Sequence, residues 1–202
     1  MKNKKILLIL VLIILNLGIY FVYNREIAIL QNSEIKQNLL LIPVDLYIIK
    51  YDNKSLSSAR DEENINEVFR KVNDIWSQAN IKVYVEEIKE MIVDEESNYY
   101  DLNLLLEYMT ESGNYDPNRI NAYFAKTLHG SNGIALLGNR IMVADETTVY
   151  DFRATSHEIG HVLGLQHVRP VSRLMARGVN GFELNDEEIE VARNNALALF
   201  SD

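Results

Sequence analysis

SHEIGHVLGLQHV, residues 156–168, carries three of the four histidines in a chain of 202 residues. On a helix, positions i and i+4 share a face, so His157 and His161 present their imidazoles to one point. Neutral imidazole is a favoured zinc ligand at about 2.0–2.1 Å, and two such nitrogens make half of a tetrahedral site. Glu158 is the next residue round from His157, so its carboxylate lies beside the metal without ligating it and is placed to hold a water there. Gly164 accounts for a third ligand. Glycine enters the left-handed conformation that ends a helix without a side-chain penalty, and His167, three residues on, then swings back to the same point. Three protein ligands leave a fourth position for water, which is the catalytic form of a zinc site and not the closed structural form. H-E-x-x-H alone is a weak signal; Gly164 and His167 at their offsets make it a specific one. The fourth histidine, His129, stands by itself in a glycine-containing loop and reads as an ordinary surface residue.

Working outward from this motif, the flanking sequence alternates strands and helices. Residues 40–52, LLIPVDLYIIKYD, are rich in β-branched and aromatic residues and end at Asp52-Asn53, the pattern of a strand. Ser58 and Asp61 fit helix caps ahead of Ile65, Val68, Phe69, Val72, Ile75, Trp76 and Ala79, whose spacing is that of an amphipathic helix with Trp76 in the core. IKVYVEEI, residues 81–88, alternates like a half-buried strand, and residues 101–109 form a short helix. Residues 119–128 and 139–147 are two further strands. HGSNGIALLG between them is a loop with a short edge strand. Near the C-terminus, Asn185 and Glu188 form a capping box, with Leu184 and Ile189 as a hydrophobic staple. This order indicates an α/β or α+β sandwich with a mixed sheet.

The N-terminus differs in kind. MKNKK (residues 1–5) is basic and predicts a cytoplasmic end. Ile6 to Tyr23 is an apolar run broken only by Asn16 and Gly18, about 27 Å long as a helix and so matched to a bilayer. The lysines before it and Tyr20, Phe21 and Tyr23 at its end fit an uncleaved signal-anchor, with a cleaved signal peptide as the alternative. Either way the rest of the chain is expected outside the cytoplasm. Residues 24–42 read as a stalk and 43–202 as the catalytic domain. The chain carries −9, and residues 1–26 carry +3 of that, which leaves −12 for the rest. A domain so acidic gives no electrostatic reason to bind nucleic acid. The absence of cysteine excludes disulfides, thiolate ligands and cysteine nucleophiles.

At His157, Glu158, His161, Gly164 and His167 the chain resembles the metzincin metallopeptidases, whose motif is H-E-x-x-H-x-x-G-x-x-H. SRLMARG supplies Met175 where that family has a methionine turn beneath the metal, and the short connection together with HEIGHVLGLQH looks most like the matrixin branch. The resemblance is specific over residues 140–180; across 43–200 it rests on the order of elements. It implies a twisted, mixed five-stranded sheet with an antiparallel edge strand, an active-site helix and a C-terminal helix. It also implies one catalytic Zn2+ on His157, His161 and His167, Glu158 as general base, and Met175 as support. A peptide substrate would pair with the edge strand around Ile134, Ala135 and Leu136.

Four departures stand against this. Without cysteine there is no cysteine switch, and His129 alone does not make the second, structural zinc site of animal matrixins. Arg177 occupies the place of the tyrosine that astacin-like and serralysin-like enzymes carry two residues after the methionine. Val168 and Arg169 replace the cysteines that archaeal-type metzincins have after the third histidine. The expected function is therefore a membrane-anchored zinc endopeptidase acting on exported or extracellular proteins. Its rival is a membrane-tethered, zinc-stabilised module that binds peptides without cutting them, a reading that leaves Glu158 without a role. By the same resemblance the loop bearing Met175 walls the pocket for the residue after the cut. Val171 and Leu174, with Ile134, Leu136 or Leu137 opposite, predict an apolar preference there unless Arg173 or Arg177 points inward. Nothing in the sequence speaks to calcium or to oligomeric state.

Overall fold

The protein, as a computed structural model, is described over residues 38–93 and 102–200, and all of these but Asn38 fall in one unit, Leu39–Asp202. The apolar run at residues 6–23 lies outside the described residues, among which no helix is long and apolar enough to cross a membrane. The elements are β1 (Leu40–Tyr51), α1 (Glu62–Trp76) with a short 3-10 turn (Ser77–Ala79), β2 (Ile81–Val93), α2 (Leu102–Glu111), β3 (Ile120–Ala125), β4 (Gly133–Leu136), β5 (Arg140–Ala144), α3 (Asp151–Val162) and α4 (Asp186–Phe200). The fold is α+β, built on a five-stranded mixed sheet in the order β2-β1-β3-β5-β4. All neighbours are parallel except β4, which runs antiparallel to β5 at one edge.

The near-continuous apolar run of β1 suits a strand covered on both faces, as in parallel sheets generally. Alternation divides its side chains between two cores. Ile42, Val44, Leu46 and Ile48 meet Val68, Phe69, Val72 and Trp76 of α1. Tyr47, Ile49 and Tyr51 meet Leu105 and Met109 of α2. Trp76 is fully buried, as its spacing predicted, and a side chain of that size contributes about 1.5–3 kcal/mol or more on burial. Asp61 caps α1 by accepting from the Asn64 amide at 2.8 Å.

β2 extends to Val93, five residues past the predicted end at 88, because its second half also has work in the core: Met91 and Val93 are buried against the α2 side. A register irregularity between Val44 and Asp45 leaves Glu86 as an extra residue opposite β1. The strands predicted at 119–128 and 139–147 are shorter, since beyond Ala125 and Ala144 the chain turns away to carry β4 and α3. β1 starts at Leu40 with Ile42 wholly buried, so packed structure begins ahead of residue 43.

α3 packs on β5, β4 and α1. Its first turn is pinned by Arg60, whose Nη1 reaches the Asp151 carboxylate at 2.9 Å while its Nε lies 3.5 Å from Asp145. Asp151 also suits the positive end of the helix dipole. α4 begins with the predicted capping box: the Glu188 amide donates to Asn185 Oδ1 at 2.8 Å, and the Asn185 amide to Glu188 Oε2 at 3.0 Å.

Candidate metal centre and cleft

α3 ends where the sequence requires. Gly164 has φ +82°, its amide bonds to the His161 carbonyl at 3.0 Å, and the Leu165 amide bonds to the Gly160 carbonyl at 2.8 Å. These two bonds close a left-handed cap that reverses the chain. The reversal carries His167 back over the helix, with its Nε2 3.1 Å from Nε2 of both His157 and His161. Three nitrogens around one tetrahedral zinc at bond lengths of 2.0–2.1 Å stand about 3.3 Å apart, so the triad fits that ion.

The opposite ring nitrogens fix the protonation pattern. Nδ1 of His157 bonds to the Leu174 carbonyl at 2.8 Å and Nδ1 of His161 to the Leu165 carbonyl at 2.9 Å. A carbonyl only accepts, so both Nδ1 atoms carry hydrogen and both Nε2 atoms keep a lone pair, the form a metal requires. His167 differs: its Nδ1 accepts from Arg177 Nε at 3.0 Å, so the neutral ring carries its hydrogen on Nε2, aimed at the other two lone pairs. For His167 to join the other two as a metal ligand through Nε2, its hydrogen would have to sit on Nδ1, at the expense of the bond from Arg177. Burial pushes the His157 pKa down to about 4, aided by the charge of Arg153, which keeps the ring neutral at pH 7. Burial also lowers that of His167.

Glu158 is buried, and desolvation lifts its pKa to about 7 against the opposing influence of the Ala135 amide, which hydrogen-bonds it, and of Arg153. β4 approaches it so closely that a Cβ on Gly133 would lie 2.7 Å from Glu158 Cγ. Met175 is fully buried beneath α3, and a Cβ on Gly160 would come within 2.6 Å of its Sδ. The glycine between Glu158 and His161 is therefore what lets the methionine lie directly under the ligands. Arg153, one turn before His157, holds the methionine loop from inside. Its Nη2 donates to the carbonyls of Leu174 (2.7 Å) and Ala176, and its Nε to that of Gly181 (3.4 Å).

These groups face a cleft of about 1330 Å³ between α3 and β4. Ile134, Ala135 and Leu136 line it, half-buried, on the strand that ends the sheet. The loop side departs from the sequence prediction. Leu174 is fully buried in the main core and Val171 is 70% exposed, and neither lines the cleft. That side is formed by Arg177 and Gly178, with Arg153 and Ala154 from α3. Arg173 is turned away, paired with Glu188. His129 is exposed at φ +50° and belongs to no metal-binding group among the described residues. Arg153 and Gly160 were not singled out in the sequence, and Gly133 counted there only as the start of the edge strand. Gly160 alone left a local signal, as a glycine inside a helical pattern.

No family model matches the chain, and no curated protein matches it in sequence. Solved structures resemble it in fold. A chain from a chaperone–substrate complex gives a TM-score of 0.52 at 14% identity, covering 79% of this chain and 35% of that one. Archaemetzincin from Methanopyrus kandleri gives 0.55 at 14% identity, covering 76% of this chain and 94% of its own. Metalloproteinase-II from Bacteroides fragilis gives 0.52 at 14% identity, covering 81% and 60%. This chain thus spans only 35% of the first structure and 60% of the third. At such identity the likeness is one of fold, an α+β fold shared with metallopeptidases.

Proposed function

We propose that this chain is a zinc-dependent endopeptidase, exported and held at a membrane by residues 6–23, that hydrolyses peptide bonds of exported or extracellular proteins. The observation that carries the reading is the convergence of three imidazole Nε2 atoms beside the buried Glu158 carboxylate, in a cleft flanked by an edge strand. Zn2+ held by His157, His161 and His167 supplies Lewis-acid polarisation of the scissile carbonyl and acidifies water.

The remaining steps belong to the chain. The substrate backbone pairs with the outer side of β4 at Ile134, Ala135 and Leu136, which sets its carbonyl toward the triad. Glu158 accepts a proton from the attacking water and passes it to the leaving nitrogen. A pKa of about 7 suits both halves of that transfer, because a group that must take and return a proton works best near the ambient pH. The Ala135 amide and the bare Gly133 Cα position its carboxylate, and Met175 supports the ligands from below without touching substrate.

The test is Glu158→Ala against His161→Ala, read as peptide cleavage and bound zinc in the purified protein. Glu158→Ala leaves all three imidazoles in place; it is expected to keep about one zinc per chain while cleavage falls by about 10²–10⁴-fold or more. His161→Ala is expected to lose metal and activity together. Cleavage by Glu158→Ala at near wild-type rate overturns the assignment. Zinc binding by the wild type without any cleavage favours a peptide-binding module.

A further inference from the structure

Charge in the cleft runs against the charge of the chain. The chain as a whole carries −9, yet the charged side chains lining the cleft are Arg140, Arg153 and Arg177 against the one carboxylate of Glu158. Two of these arginines are engaged: Arg140 lies over the Tyr115 ring at 4.1 Å, and Arg177 donates to His167. Arg153 is in a different position. It is only 3% exposed, and the groups it bonds, the carbonyls of Leu174, Ala176 and Gly181, are all neutral. Among the described residues its Nη1 has no hydrogen-bond partner and its guanidinium no ion pair. Though so deeply buried, Arg153 lines the cleft. Glu158 acts on this guanidinium only through space, without bonding it; a buried cation with no carboxylate bonded to it is costly, and one arriving beside it relieves that cost.

We propose that Arg153 binds an acidic side chain of the substrate next to the scissile bond, so that the enzyme selects acidic peptides. The proposal rests on the peptidase reading of the same site. Its geometry is that of one helix face: Arg153 and His157 are four residues apart, about 5–6 Å between their Cβ atoms, within the reach of neighbouring residues on an extended peptide. The carboxylate is received by Nη1 while Nε and Nη2 stay on the loop carbonyls. Arg177, which also lines the cleft, adds positive potential on the same side.

The test compares peptides that differ only in Glu, Gln or Leu at each residue flanking the cut. Their kcat/KM is measured with the zinc-loaded full chain, and their Kd with Glu158→Ala, which needs no turnover. On one flank Glu is expected to exceed Gln by about 10- to 100-fold in both measurements, the range for a hydrogen bond to a charged group. Arg153→Met is expected to abolish the difference and Arg177→Gln to reduce it. Should Arg153→Met fail to fold by circular dichroism, Arg153→Lys keeps the charge without the fork and is expected to show a smaller preference of the same sign. Equal or better handling of Gln or Leu by the wild type overturns the proposal, as does an undiminished preference in Arg153→Lys or Arg153→Met. Selective binding of Glu peptides without cleavage supports the anion site while overturning the peptidase reading. Cleavage without preference does the reverse.

Discussion

At Gly160 one missing methyl group decides how the methionine sits. An added Cβ would press on Met175 Sδ, and the thioether, flexible but enclosed, must shift toward the ligand shell. Gly160→Ala is expected to cost about 1–3 kcal/mol in denaturant unfolding, the usual range for overpacking, and to weaken zinc retention against a chelator. Unchanged metal affinity would separate the methionine from the ligands. Two neighbouring residues set a pH signature in chelated protein. The His157 pKa is lowered to about 4 in the fold, so between its unfolded value of about 6.5 and pH 4 the unfolded chain binds the extra proton and stability falls as pH falls. Glu158, raised to about 7, works in the opposite direction: the fold holds the extra proton between pH 7 and its ordinary value of about 4.5, so stability rises as pH falls. The two offset each other from about pH 6.5 to 4.5. Glu158→Gln removes one of them, and unfolding midpoints of the chelated variant are expected to drop more steeply with acid than those of the wild type. Parallel slopes would rule this out.

Among the elements, α3 and its cap were the most legible, because every requirement there is local: ligands at i and i+4, a glycine at φ +82°, and a return within three residues. Gly164→Ala forces a side chain into that conformation and against Asn195, 2.7 Å from the added Cβ. It is expected to displace His167, so metal affinity should fall while the far core, followed by Trp76 fluorescence, unfolds as a unit at somewhat lower denaturant. Retention of wild-type affinity would mean that His167 does not depend on the cap. The capping box of α4 was equally readable, and Asn185→Ala is expected to lose about 1 kcal/mol of stability with cleavage unchanged. β4 was legible as a short edge strand between glycines, but not its approach to the site. Its approach to Glu158 is tertiary, since 25 residues separate Gly133 from the carboxylate it touches, and no pattern within either segment records the contact. The same holds for Arg153, which is unremarkable on a helix until the methionine loop folds over it. Val171 and Leu174 were misplaced for a related reason. Apolar residues on a loop near a cleft read as pocket walls, but Leu174 goes to the core, and its carbonyl serves His157 and Arg153.

For the whole molecule, the proposed metal binding would be linked to folding. Three neutral imidazoles drawn from a helix and a loop converge only in the folded chain, so zinc at a hundredfold excess over its Kd is expected to add about 2.7 kcal/mol, and a chelator to lower Tm correspondingly. An unchanged Tm would argue that the triad binds no metal. Membrane attachment is tested by fractionation: the full chain is expected to resist extraction by high salt, whereas a soluble form beginning near residue 24–30 would establish cleavage. The sheet itself carries a hazard at its other end. β2 runs for thirteen residues along that edge, the kind of strand on which a second chain can template fibrillar growth. Its exposed positions include Lys82, Glu86, Glu87, Lys89 and Glu90, and the extra residue at Glu86 interrupts the flat register a growing aggregate would need. Charges placed on an edge in this way oppose the pairing of a second chain. Replacing Glu86, Glu87 and Glu90 with glutamine should leave the fold intact but raise light scattering with time and concentration. Among the described residues no strand pairs with the outer side of β2, and the charges along it discourage one from arriving.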